Sequence, residues 1–349
     1  MTDTMKETER TAAEAADDGT KTRDGRGEWM PRVLGKAQPF VWPIQPRKLL
    51  GFFFGFPGFL WPLGAALHYG VAALTWYHLQ PGADQLSNFS QLSASWILPM
   101  YLRNVAMLVA VAGTLHVLLY RRRVQGSRFK YNSRWQSKSK TFLFNDQVLD
   151  NAFWSIASGA TVWTLYEVFM LWAYGNDWLP FATLRSNPVW FFGLAAVLPF
   201  WQDLHFYLVH RISHWGPLYR SAHYLHHKNT NVGPWSGLSM HPIEHILYFT
   251  RWVILFLVPS HPIHMFFLMQ RPALNPALGH TGFDQFVVKK DADRGMSIDS
   301  FFHYLHHRHF ECNYGAPTIP LDRWFGTLHD GTPESFQQMR QKRRMPASG

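Results

Sequence analysis

The sequence predicts an all-α fold: a polytopic transmembrane helix bundle of about four spans plus a re-entrant helical pair, with a cytosolic His-rich helical cap. Three observations predict it. Charged residues make up only 16% of the 349, against about 25% in soluble globular chains. Long apolar runs recur through the first two thirds of the chain, and about 20 apolar residues suffice for a span. Fifteen of the 19 histidines crowd between His205 and His309, several at helical spacing.

The elements follow in order. Residues 1–40 read as a disordered tail, polar at the start and lacking the apolar core of a signal peptide. Leu49 to Ala83 contains no Asp, Glu, Lys or Arg and predicts a first span, kinked at Pro57 and Pro62. Trp96 to Tyr120 is the second, with Arg103 near one end, where it can snorkel. Ala152 to Tyr174 is the third, and Val189 to about Phe206 the fourth. Glu167 inside the third span is costly in lipid and marks a functional candidate or an interface position. The stretch from Ile246 to Leu278 is too long for one crossing and is interrupted by Pro259, Pro262, Pro272 and Pro276. It predicts two half-helices that return to the side they left.

Orientation comes from the loops. Arg121 to Lys140 holds eight Lys or Arg and no acid, while Tyr77 to Ser95 holds no Lys or Arg. The basic loop is therefore cytoplasmic, and so is the chain near His210. The net charge of +10 sits beside apolar runs, which suits an anionic leaflet and argues against nucleic acid. Cys312 is the single cysteine, so no internal disulfide forms. Alanine-, arginine- and aspartate-rich tails favour a bacterial inner membrane over the endoplasmic reticulum.

Three histidine groups have ligand spacing: His210 and His214 in HRISH, His223, His226 and His227 in HYLHH, and His303, His306 and His307 in a second HYLHH. At this chain's histidine frequency one HxxHH arises by chance roughly 0.06 times, so two are not accidental. Positions i, i+3 and i+4 share a helix face, and imidazoles there can grip a metal while an adjacent one reaches a neighbouring ion. Without metal, so many buried imidazoles would lack acceptors. Structural zinc would draw on cysteine, and eight histidines exceed one ion's needs. Lone histidines such as His68, His78 and His116 read as core residues.

The segments WQDLHFYLVHRISHWGPLYRSAHYLHHK, HPIE, ALGHTGF and HYLHHRHFECNYGAPTIPLDRWFGT resemble the fatty acid hydroxylase/sterol desaturase superfamily of integral membrane histidine-box enzymes. The likeness spans about Phe200 to Thr327. It implies a catalytic domain over 197–330; the transmembrane helices and basic loop read from the apolar runs and charges occupy 41–196, and a basic tail follows over 331–349. It implies two iron ions, with zinc able to replace them on purification. Their ligands would be His210, His214, His223, His226, His227, His280, His303, His306 and His307, with His280 resting on the resemblance alone. Asp203, His241, Glu244, His245 and Asn313 stand as supports for the ligands. His205 and His309 fall outside the boxes.

The implied chemistry is O2-dependent oxidation of a membrane lipid with electrons from an external donor, cytochrome b5-like or a ferredoxin with its reductase. No GxGxxG, P-loop or HPGG sequence supplies an internal one. Hydroxylation of a fatty-acyl or related lipid is the first reading. A sterol C-5 desaturase or sterol methyl oxidase is the alternative within the superfamily. A histidine-lined metal transporter is the alternative from another class, disfavoured because transport sites lie near the bilayer midplane and these boxes follow the apolar runs. A non-catalytic lipid-binding scaffold would survive loss of the histidines.

Overall fold

The computed structural model describes residues 22–23, 27–31, 40–54, 64–287, 295–298, 300–316 and 318–344. They are mostly helical. The axis of the molecule is a helix that the sequence expectation had broken. Residues Pro262–Gly279 form one 18-residue helix, which passes through Pro272 and Pro276 without stopping. Pro262 lacks only an N–H that no helix start can use, and the true interruption lies just before it, around Pro259. Ile263 to Gln270 are buried on every side, as expected of a helix apolar all round.

Earlier helices, several of which pack against this axis, come before it in the chain. In chain order they are α1 (Pro46–Phe54), α2 (Ala65–Leu74), α3 (Ala94–Arg121), α4 (Gln147–Trp154), α5 (Thr161–Gly175) and α6 (Pro188–Ser213). Then come the short α7 (Tyr224–His227) and α8 (Pro242–Tyr248), the axial helix as α9, and α10 (Phe301–His309). Tyr69 on α2 stacks on Phe267 of α9 with centroids 3.9 Å apart, and Gln270 donates to the Thr75 hydroxyl at 2.9 Å. Gly237 lets a 3-10 turn lie against the end of α9: a Cβ there would sit 2.5 Å from the Pro276 carbonyl.

Among the described residues one helix, α3, is long and apolar enough to cross a membrane by length and composition. Leu98, Leu102 and Val109 on it are exposed. The expected kinks at Pro57 and Pro62 lie outside the described residues. Arg103 does not snorkel outward. It is buried, ion-paired with Glu167, and donates to Gln80 at 2.8 Å. Asn104 and Trp163 also donate to that carboxylate, at 2.9 and 2.7 Å. Glu167 is thus a fully bonded tie between α3 and α5, which replaces the functional role expected of it.

Two further expectations change. The N-terminal tail contains an antiparallel pairing of Thr22–Arg23 with Trp29–Met30, and Trp29 N–H donates to the Tyr131 carbonyl at 2.8 Å. Its apolar Trp29 has a core to join, so this part is fixed. The C-terminal tail contains a helix, Pro333–Arg344, with Pro at its start, Glu334 in the first turn and basic residues at its end, as helix polarity favours.

Candidate metal centre

α6 is capped by the Asn187 side chain, which accepts from Trp190 N–H at 3.0 Å. It delivers His210 and, as its C-cap, His214. The first HYLHH runs from His223, the N-cap of α7, through α7 itself, and α10 carries the second. The C-cap of α9 is His280. Four separated stretches therefore meet, and all nine predicted histidines fall into two groups. One is His210, His214, His223, His227 and His306; the other is His226, His280, His303 and His307; ligand atoms within each lie within 4.8 Å of one another.

The two pentapeptides exchange members. His223 and His227 serve the first group while His226, between them in sequence, serves the second. His303 and His307 serve the second while His306 serves the first. Neighbouring positions on a helix point about 100° apart, which is why adjacent histidines address different centres.

The ring tautomers decide what fits. Nδ1–H of His210 donates to the Tyr314 carbonyl at 2.7 Å, that of His306 to Cys312 at 2.6 Å, and that of His280 to Pro276 at 2.9 Å. His226 does the same to Ser239 at 3.2 Å, and His223 to the Glu244 carboxylate at 2.6 Å. With Nδ1 protonated, Nε2 is a bare lone pair. Yet Nε2 atoms stand 3.0 Å apart between His223 and His214 and between His306 and His227. In the other group His280 lies 3.0 Å from His307 and 3.1 Å from His303. A proton on one ring can bridge a single such contact, but the mutual approach of His280, His303 and His307, whose Nε2 atoms lie 3.0–3.2 Å apart in every pairing, is that of ligands converging on one cation. Imidazole nitrogens bound at about 2.0–2.1 Å to one ion are about 3.0–3.4 Å apart, so the residues present fit two metal ions.

Burial keeps these rings neutral, the state that binds metal. It lowers the His223 and His280 pKa to about 3 and that of His226 to about 4, assisted for the latter two by a neighbouring imidazole. His227, His306 and His307 are lowered further by burial and the surrounding histidines. Burial also pushes the Glu244 carboxyl up to about 7, against the pull of His226 and His241.

The expected supports divide. Glu244 holds a ligand histidine directly. Asp203 does not: it lies 3.6 Å from Arg271, and the Nδ1–H of His210, on the same helix, is taken by a backbone carbonyl. His241 caps α8, accepting from Ile243 N–H, and His245 bonds Ser158 at 2.7 Å, so neither reaches the cluster. Asn313 donates to the Phe302 and His329 carbonyls at 3.0 and 2.8 Å, which fastens α10 to the following loop. Asp322 was not among the expected supports; its carboxylate accepts from Tyr314 and Gly315 N–H, both at 2.8 Å, and so fixes the carbonyl behind His210.

Beside the two groups lies a cavity of about 190 Å³, reached by His210, His226, His280 and His303 and walled by Phe206, Val209, Tyr248 and Phe302.

The fatty acid hydroxylase family matches residues 195–327. The chain is similar to a Delta(7)-sterol 5(6)-desaturase of Gibberella zeae, 28% identical over 167 residues, 46% of this chain and 46% of that protein. It is 34% identical over 127 residues to a Delta(7)-sterol-C5(6)-desaturase of Nicotiana tabacum, 35% of this chain and 44% of that one. A Delta(7)-sterol 5(6)-desaturase of Saccharomyces cerevisiae is 31% identical over 129 residues, 37% of this chain and 34% of its own length. The chain thus spans less than half the length of these curated relatives. No solved structure matches. The histidine boxes and their surroundings, residues 195–327, belong to the fatty acid hydroxylase/sterol desaturase superfamily.

Proposed function

We propose that this chain is a membrane-embedded, O2-dependent oxidoreductase that uses two iron ions to oxidise a sterol-like lipid, desaturation being favoured over hydroxylation. The observation that carries it is the convergence of nine imidazoles into two groups, with Nε2 atoms about 3 Å apart. The relatives' names favour the sterol alternative over the fatty-acyl hydroxylase first expected.

The first group of five histidines and the second of four would each hold one iron, which when bound supplies oxygen activation against an unactivated C–H bond. The chain's own residues do the rest. Glu244 and the Tyr314, Cys312, Ser239 and Pro276 carbonyls fix ring orientation. Phe206, Val209 and Phe302 shape a largely apolar space that excludes water from the reacting carbon. Electrons come from a separate donor protein.

A polytopic arrangement is the finer reading of the fold, supported by exposed Leu165 on α5 and by Val189, Phe192 and Val197 on α6. The site shares a side with the basic loop: Tyr131 N–H donates to the Gly282 carbonyl and the Tyr120 hydroxyl to Thr281, beside His280. That side is cytoplasmic by the positive-inside rule. The relatives are fungal and plant proteins, so they lend no weight to a bacterial inner membrane.

Purified protein supplied with O2, a reductase system and a Delta(7)-sterol should yield a product two mass units lighter. A product sixteen units heavier would restore the hydroxylase, and metal flux into vesicles without lipid turnover would restore the transporter.

A further inference from the structure

The far wall of the cavity is charged, and nothing in the oxidation chemistry requires it. Asp203, Arg271, Gln202 and Arg251 all line the space that reaches His210 and His303. Arg271 donates to Gln202 Oε1 at 2.6 Å and lies 3.6 Å from the Asp203 carboxylate. Arg251 is buried and donates Nε and Nη2 to the Tyr248 carbonyl at 3.2 and 2.9 Å. Two guanidinium groups and the Asp203 carboxylate are thus held together in the cavity wall, apart from the histidines and Glu244 that make up the metal side. Keeping such groups out of water is costly, and the metal ligands are oriented without them.

We infer that Asp203 and Arg271 form the head-group anchor of the substrate site and select a lipid with a neutral hydroxyl head. This rests on the proposed lipid oxidation. A hydroxyl is both donor and acceptor, so it can give its proton to Asp203 while its oxygen accepts from Arg271. A carboxylate head would meet the Asp203 charge, and a purely hydrocarbon end would displace water from the pair while returning no hydrogen bond.

The anchor also sets a ruler. Asp203 precedes His210 by seven residues on α6, almost two full turns, so both share a face about 10 Å apart along the axis. With a hydrogen bond taking up about 3 Å at one end and the reacting contact about as much at the other, the oxidised carbon lies about one ring from the hydroxyl. That suits a compact fused-ring alcohol and excludes the middle of a long acyl chain held by its head.

The test uses the full chain in phosphatidylcholine nanodiscs, without reductant, so that binding is read apart from turnover. The probes are a Delta(7)-sterol, the same sterol with its hydroxyl replaced by hydrogen, and oleate. The deoxy compound should bind on the order of 10- to 100-fold more weakly, as loss of a hydrogen bond to a charged group requires. Asp203→Asn and, independently, Arg271→Gln should shrink that discrimination to about threefold or less while bound metal stays unchanged. Equal binding of the sterol and its deoxy form, or tighter binding of oleate, would overturn the anchor. Hydroxyl selectivity without any oxidation on adding a donor would instead overturn the proposed activity and leave the anchor standing.

Discussion

At the scale of single residues the centre rests on ring orientation. His227→Ala or His306→Ala should lower bound iron from about two per chain to one or fewer, by metal analysis, with helical circular dichroism retained. Unchanged iron would sink the assignment. Glu244→Gln exchanges a charged acceptor behind His223 for a neutral one and should weaken metal binding about 10- to 100-fold, read by chelator competition. Much of this was legible. Two HYLHH pentapeptides announce themselves in a linear scan, and helical spacing says which members share a face. The acceptors behind His210, His306, His226 and His280 were not, because a backbone carbonyl carries no residue identity. His280 needed the resemblance, since one histidine after a helix has no periodicity to betray it. Asp203 was misassigned for the same reason: the carbonyl that takes the His210 Nδ1–H was invisible.

At the scale of elements, two contacts hold the site's frame. Gly237→Ala would drive a Cβ against the Pro276 backbone, which cannot swing aside as a side chain can. We expect a loss of about 1–3 kcal/mol in thermal melts, with metal lost most from the group containing His280. Arg103→Leu would strand the buried Glu167 carboxylate and should cost about 3–5 kcal/mol in detergent unfolding. Arg103→Leu with Glu167→Gln should cost far less, and equal losses would show that the ion pair is not the tie. The helices themselves were readable from apolar runs and capping residues. Breaks were read less well, because proline predicts a stop only where a preceding turn's carbonyl has no room to adapt, and Pro272 and Pro276 found that room. The tail helix Pro333–Arg344 had legible start and stop signals that its polar composition obscured.

For the whole molecule, the sequence conveyed helical class and the convergence of the boxes. The number of spans was less legible, because helices that carry Arg103, Glu167 and Asp203 inward dilute the apolar signal that marks lipid contact. Burying so many neutral imidazoles also has a consequence across the pH scale. Below about 6.5 each histidine of an unfolded chain takes a proton, while His223, His226 and His280 in the fold refuse it until about 3 or 4. Stability of the metal-stripped protein is therefore full above about pH 6.5 and declines continuously as pH falls toward 3–4. Melting temperatures of that form, measured from pH 8 to 4, should drop steadily; a flat profile would contradict neutral burial.

Each HYLHH helix places its middle histidine in the group that the other helix dominates. Seating an ion in either group would thus immobilise rings on both helices and prepare the remaining one, so the two binding events are thermodynamically linked. Uptake curves should be sigmoidal. Native mass spectra recorded with too little iron to fill every chain should show empty and doubly loaded protein side by side, with singly loaded protein scarce.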